Sequence, residues 1–214
     1  MTGDGPGPRR DLLLATRNPH KVVELRRILD EAGVAGVRVR TLADVPELPE
    51  VVETGLTFAE NATLKASVVA AATGMPAVAD DSGLCVDVLG GAPGIFSARW
   101  SGSHGSDRAN LMLLLGQLED IPEEHRGAYF GCAAVLAAPD GRHWSAEGRL
   151  TGTLIREPRG SNGFGYDPVF VPAGETRTTA QLSAEEKDAI SHRGQALRNL
   201  VPRIRELFEE DRPG

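Results

Sequence analysis

Asp80 and Asp81 stand side by side at the end of an apolar run, Ala77-Val78-Ala79, and are followed by Ser82 and Gly83. Adjacent carboxylates repel unless a cation or positive neighbours offset them. On an extended chain they point to opposite faces, so one of the two serves a given site. A hard ion such as Mg²⁺ is satisfied by one or two carboxylates, with water and phosphate oxygens completing its shell. Glycine at 83 permits a close approach or a sharp turn. The same residues would also serve as a plain turn between two strands, and alone they do not decide between these readings.

A second signal is the scarcity of lysine. Of 23 basic residues only three are lysines, Lys21, Lys65 and Lys187, so arginine solvates most of the surface. Either chance spared three lysines or those positions need a compact ammonium, as phosphate oxygens often do. Lys21 follows the polar loop Thr16-Arg17-Asn18-Pro19-His20, between an apolar strand and a helix. A helix start after a strand aims unsatisfied N–H groups and a positive dipole at whatever lies before it. With Thr16 and Asn18 as neutral donors and Arg17 and Lys21 as charges, the loop suits a polyphosphate; its plain alternative is a capped helix with basic surface residues. The P-loop pattern is absent, so a triphosphate site here is of another type.

Two further elements have chemical potential. In Asn162-Gly163-Phe164-Gly165-Tyr166-Asp167, glycines on both sides of Phe164 leave its face open for stacking on a planar base; a glycine-rich hairpin around a core aromatic is the alternative. Beyond Lys187, Ser191 reads as a helix cap, which puts His192 and Arg193 in the first turn. Cations there oppose the helix dipole, which hints at an anionic or acceptor-rich ligand.

These residues need a scaffold. Residues 12–15 read as a buried strand, and 21–32 as a helix whose Val22, Leu25, Ile28 and Leu29 share a face, stopped at Gly33. A strand over 37–42 completes a βαβ-like opening and predicts a parallel pair. Thr57 and Glu60 form a capping-box pattern for a helix running to about 73. Strands are expected over 77–79 and 84–89, on either side of the Asp80–Gly83 turn. A helix follows over 107–118. Strands over 128–138 and 142–150 flank the hairpin signal Pro139-Asp140-Gly141. Residues 169–171 form a last strand. Ser183 and Glu186 make another capping box, and the final helix ends near residue 210, bent near Pro202. The fold class is therefore α/β with a mixed parallel and antiparallel sheet flanked by helices. One domain over 11–210 follows a Gly/Pro-rich, disordered tail over 1–10.

Composition excludes several classes. A formal charge of −7 offers no basic field for nucleic acid. No apolar stretch is long enough to cross a bilayer, and the start lacks a signal-peptide pattern. Cys85 and Cys132 lie in apolar runs without metal spacing and read as buried thiols. A cytoplasmic protein is expected.

Six ordered blocks resemble the inosine triphosphatase family, in a bacterial member. They are Thr16-Arg17-Asn18-Pro19-His20-Lys21; Glu53 to Ala62; Asp80-Asp81-Ser82-Gly83-Leu84; Gly90-Gly91-Ala92-Pro93-Gly94; Phe164-Gly165-Tyr166-Asp167-Pro168; and Ser191-His192-Arg193. The resemblance spans residues 12–207. It implies an elongated two-lobed fold with a central cleft, a homodimer, and purine nucleoside triphosphates such as ITP, dITP and XTP as substrates. Mg²⁺-dependent cleavage would give the monophosphate and pyrophosphate, keeping these nucleotides out of DNA and RNA. By the same analogy Asp81 is the catalytic base and, with Glu53, a metal carboxylate. Ser82, Lys21 and the Thr16–His20 loop (Thr16, Arg17, Asn18, Pro19, His20) take the phosphates, with Lys65 facing them. Phe164, Gly165, Tyr166, Asp167, Lys187, His192 and Arg193 surround the nucleoside. Glu60 is explained by its capping box instead. The family often has glycine where Arg17 stands, so backbone approach there would differ. The rival readings are a pyrophosphatase for modified pyrimidine nucleotides, separated by base selectivity, and a nucleotide-binding regulator without turnover, separated by pyrophosphate release. An aspartyl phosphatase lacks its usual DxD spacing.

Overall fold

The computed structural model describes residues 10–48 and 51–210; residues 1–9, where most of the expected tail falls, and the side chains of His20 and Glu210 lie outside the described residues. Arg10 is the first residue of β1 (Arg10–Leu14), followed by α1 (Pro19–Glu31) and β2 (Val37–Thr41). β1 pairs in parallel with β2, Leu12 opposite Val39, as the βαβ opening predicts. Then come α2 (Phe58–Thr73), β3 (Ala77–Val86), α3 (Asp107–Gln117), β4 (Gly127–Ala137), β5 (His143–Leu154), β6 (Phe170–Pro172), α4 (Ala184–Ile190) and α5 (His192–Glu210). The strand order is β2-β1-β3-β4-β5-β6. β1 and β3 are parallel, and β5 and β6 antiparallel, so the sheet is mixed.

The chain divides into two compact units. The first comprises the described part of Met1–Asp81, Ala133–Glu147 and Ala196–Gly214. Its alanine-rich α2 presses Ala62, Ala66, Val69 and Ala70 onto Leu13, Ala77, Ala79 and Val135. Small side chains let that helix lie close, which brings its polar residues within reach of β3. The face of α1 expected to be apolar is buried, with Leu25 and Ile28 at 0% and 1% exposure. The second unit comprises Ser82–Cys132 and Gly148–Gln195. Its core joins Leu84 and Val86 of β3 to Leu111, Leu114, Tyr166 and Phe170.

Three expectations need correction. Asp80–Gly83 form no turn: β3 runs unbroken from Ala77 to Val86. Each carboxylate finds a cationic partner, and Gly83 lets another segment pack on the strand. A Cβ there would lie 2.4 Å from both Gly94 O and Ser97 Oγ. Ser97 uses that closeness, accepting from Leu84 N at 2.9 Å and donating to Gly94 O at 2.6 Å. The Thr57 box is half formed: Thr57 Oγ1 accepts from Glu60 N, but the Glu60 carboxylate accepts from Leu56 N instead of the cap residue. The last strand starts one residue later than expected, at Phe170, because Asp167–Val169 form a 3-10 turn. Pro202 lies inside an uninterrupted α5.

Candidate active site

In the first unit, successive residues of β3 turn to opposite sides, and different helices answer the two carboxylates. Asp81 meets α2. Lys65 Nζ donates to Asp81 Oδ1 at 3.2 Å and to Glu53 Oε1 at 3.1 Å, and Asn61 Nδ2 donates to Asp81 Oδ2 at 3.2 Å. Asn61 and Lys65 share a helix face because they are one turn apart. Asn61 is fully buried, and its own Oδ1 accepts from Gly55 N at 2.8 Å. A Cβ on Gly55 would fall 2.7 Å from that oxygen. Glycine at 55 is thus required to pin the segment that carries Glu53.

Electrostatics follow from this packing. Burial pushes the Asp81 carboxyl above its ordinary value; Lys65 pulls it down and Glu53 pushes it up again, leaving it raised. Burial alone would depress Lys65, but Asp81 and Glu53 outweigh it and hold the ammonium above the ordinary lysine value. The result is a permanent cation beside a carboxylate made more basic than usual, which suits Asp81 to take a proton. Two carboxylates converging on one cation also supply the hard oxygen donors that Mg²⁺ prefers.

Asp80 meets α1. Lys21 Nζ donates to both of its oxygens, at 2.9 and 2.8 Å. The Asp80 side chain is 5% exposed and that of Lys21 23%, so the ammonium is anchored from below and still reachable. In the preceding loop Thr16 Oγ1 accepts from Asn18 N at 3.1 Å. Arg17, Asn18 and Pro19 are exposed, and Pro19 opens α1, where its fixed φ and missing N–H cost nothing.

The second unit builds a platform. Gly163 and Gly165 adopt φ of 74° and 60° on either side of Phe164, which is left 67% exposed. Asp167, 3% exposed, organises the loop. Its Oδ2 accepts from Phe164 N at 2.9 Å and from Lys187 Nζ at 2.5 Å, and its Oδ1 accepts from the Thr179 hydroxyl at 2.9 Å. Lys187 Nζ lies 5.1 Å from the centroid of the Phe164 ring. A Cβ on Gly163 would sit 2.1 Å from Asp167 Oδ2, so glycine is needed there for space as well as for φ. Ser191 Oγ accepts from Gly194 N at 2.9 Å, which makes Ser191 the cap of α5 as expected. His192 stacks on Phe130 at 5.1 Å, and Arg193 follows it in the first turn.

Tyr166, expected with Phe164, Gly165 and Asp167 around the nucleoside, turns its side chain into the core. It is 4% exposed and packs in the core, its hydroxyl donating to Ser97 O at 2.9 Å. Burial pushes its phenol well above the ordinary value.

A sequence profile of the Ham1 family matches residues 12–203. The chain belongs to the Ham1 family. Among its Ham1 relatives is the dITP/XTP pyrophosphatase of Streptomyces avermitilis, 68% identical over 197 residues, covering 92% of this chain and 98% of the relative. The dITP/XTP pyrophosphatase of Corynebacterium efficiens is 58% identical over 202 residues, covering 92% and 98%. Among solved structures, the nucleoside-triphosphatase/dITP/XTP pyrophosphatase of Mycobacterium abscessus superposes with a TM-score of 0.78 at 55% identity, covering 91% of this chain and 99% of that one. The Ham1 protein of Staphylococcus aureus superposes with a TM-score of 0.81 at 35% identity, covering 95% and 100%.

Against the expected site of a Ham1 protein, the structure gathers Glu53, Lys65 and Asp81 into one cluster and Phe164, Asp167 and Lys187 into another. Ser82 follows Asp81 on β3, partly exposed. All three lysines contact buried or nearly buried carboxylates, so the compact ammonium is first a partner for an acid. Sequence reasoning assigned no role to Asn61, Asp80 or Thr179. Asn61 sits in the Glu53–Ala62 block, and its signal in the sequence is an amide inside an alanine-rich helix. For Thr179 no signal existed, since its role depends on a contact twelve residues away in the chain.

Proposed function

We propose that this Ham1 chain is a nucleoside triphosphate pyrophosphatase that hydrolyses ITP, dITP and XTP to the monophosphate and pyrophosphate, and so keeps them out of DNA and RNA. The relatives named dITP/XTP pyrophosphatase support the activity. The observation that carries the reading is Asp81, a nearly buried carboxylate of raised basicity, held with Glu53 around the Lys65 ammonium.

In this reading Asp81 accepts the proton of the attacking water. Asn61 fixes the orientation of its carboxylate, and Glu53 and Asp81 would hold Mg²⁺. Bound there, Mg²⁺ would supply neutralisation of the charge that develops on the departing pyrophosphate. Lys21, Lys65, Ser82 and the Thr16–His20 loop bind phosphate oxygens. Phosphoryl transfer needs such positioning and charge neutralisation more than covalent help.

The base stacks on Phe164. Inosine and xanthosine present a 6-oxo acceptor, where adenosine presents a 6-amino donor. Lys187 and Arg193, with His192 as donor, suit the oxo group, whereas an amino group offers these donors no acceptor. Sites built on such pairing reject the mismatched ligand strongly. Asp167 holds this edge of the site without needing to touch the base. We further propose a cytoplasmic homodimer. The family resemblance supports the dimer, and the buried thiols of Cys85 and Cys132 suit a reducing compartment. The net charge of −7 favours a small-molecule substrate over nucleic acid. No helix among the described residues is long and apolar enough to cross a membrane.

The test is a panel of ITP, dITP, XTP, ATP, GTP and modified pyrimidine triphosphates with Mg²⁺, measured as kcat/KM. The proposal requires the deaminated purines to lead. A pyrimidine in front would favour the rival pyrophosphatase, and binding without turnover would favour a regulator.

A further inference from the structure

We infer that Thr179 is a positioning residue for base selection, acting through Asp167 on Lys187 and Phe164; the inference rests on the assignment of Phe164 and Lys187 to the base. Thr179 is fully buried and opens the 3-10 turn Thr179–Gln181. That turn is fixed independently of Asp167. Thr178 and Gln181 close a capping box across it, and the Thr178 hydroxyl donates to Arg159 O at 2.7 Å. Asn162 adds two bonds, from N to Ala180 O at 3.0 Å and from Nδ2 to Leu182 O at 2.9 Å. At Gly160 a Cβ would lie 2.4 Å from Ala180 O, so the two segments touch through backbone. The Thr179 hydroxyl is therefore presented from a rigid base.

From there it donates to Asp167 Oδ1 at 2.9 Å, with Asp167 O at 3.1 Å as the longer alternative. A carboxylate can turn about its Cβ–Cγ bond. Here one oxygen is held by Thr179, while the other receives Phe164 N and Lys187 Nζ. Removing the hydroxyl frees that rotation and leaves one oxygen of a buried anion short of a donor. The Lys187 ammonium then loses its fixed place against the Phe164 ring, 5.1 Å from its centroid. An ammonium has donors only, so its placement at the edge of a stacked base favours an oxo group over an amino group. Thr179 would thus set oxo-against-amino discrimination without touching substrate.

Thr179→Val keeps the branched shape and deletes the hydroxyl; Thr179→Ser restores it. One hydrogen bond to a buried charge predicts a loss of roughly tenfold or more in kcat/KM for ITP. The loss should appear mainly in KM and shrink the ITP-to-ATP ratio, and serine should recover both. In a Lys187→Met background, Thr179→Val should change the ratio little further. Wild-type KM and ratio in Thr179→Val, an undiminished effect without Lys187, or failure of serine to rescue would each overturn the inference. Should valine unfold the protein, Thr179→Ala against Thr179→Ser isolates the same hydroxyl and is judged in the same way. Lys187→Met and Phe164→Ala are assayed alongside. If Lys187→Met alters the ratio and Thr179→Val does not, only the Thr179 inference falls. If neither Lys187→Met nor Phe164→Ala affects purine use, the base assignment falls and the inference with it.

Discussion

Replacing Lys65 by methionine removes the ammonium that Glu53 and Asp81 share while keeping most of the aliphatic stem. Two charge-assisted hydrogen bonds, at 3.1 and 3.2 Å, are lost. The side chains of Lys65, Glu53 and Asp81 are 20%, 28% and 15% exposed, which places the cluster between a surface pair and a fully buried one. Exposed pairs contribute about 0–1 kcal/mol, and breaking a buried pair costs about 3–5 kcal/mol. An intermediate loss of about 2–3 kcal/mol is expected, or a fall in Tm of roughly 4–12 °C for a chain of this size. The pH dependence has a definite sign. The Lys65 pKa is raised in the fold, because Asp81 and Glu53 outweigh the depressing effect of burial. Its contribution is therefore fully present below the ordinary lysine value and disappears only as pH rises through the higher folded value. The wild-type advantage should persist across neutral pH. It should narrow in acid, where Asp81, lifted by burial above the ordinary carboxylate value, takes up a proton. Calorimetric melting in chelator across pH measures this directly. Adding Glu53→Gln to Lys65→Met should recover part of the loss by removing a carboxylate from an unneutralised pair. Equal melting of Lys65→Met and wild type at pH 7, or further loss in the double variant, would refute the reasoning.

Three other outcomes are expected. Asp81→Asn should lower kcat by about 10²–10⁴-fold, the usual range for a general base, while its circular dichroism stays that of wild type; near wild-type turnover would remove Asp81 from its role. Phe164→Ala should weaken every purine triphosphate alike, since base–aromatic stacking contributes about 1–3 kcal/mol whatever the base; a change in the ITP-to-ATP ratio instead would give Phe164 a different part. Turnover should stop in chelator and resume with added Mg²⁺, and activity that survives exhaustive chelation would contradict the metal reading.

The parallel opening, the helix faces and the caps at Ser183 and Ser191 were legible because periodicity and capping chemistry are local. The scarcity of lysine was also informative, although its first physical meaning differs from the one expected. Lys21, Lys65 and Lys187 reach carboxylates that are nearly buried, at 5%, 15% and 4% side-chain exposure. Such contacts join residues 59, 16 and 20 positions apart, and local pattern does not reveal them. The Asp80–Gly83 segment reads as a turn for the same reason, although β3 runs through it. Two acids followed by serine and glycine disfavour a strand unless partners from α1 and α2 neutralise them. Tyr166 adds another contact of that kind: its ring fills the core and its hydroxyl finds Ser97 O, 69 positions away.

The most direct test of the proposed chemistry is hydrolysis of ITP in ¹⁸O-labelled water with Mg²⁺, with the label located by mass spectrometry. Attack at the α-phosphorus places the heavy oxygen in the nucleoside monophosphate and leaves the pyrophosphate unlabelled, and the proposal predicts this pattern. Label in the pyrophosphate, or orthophosphate as the first product, would contradict it.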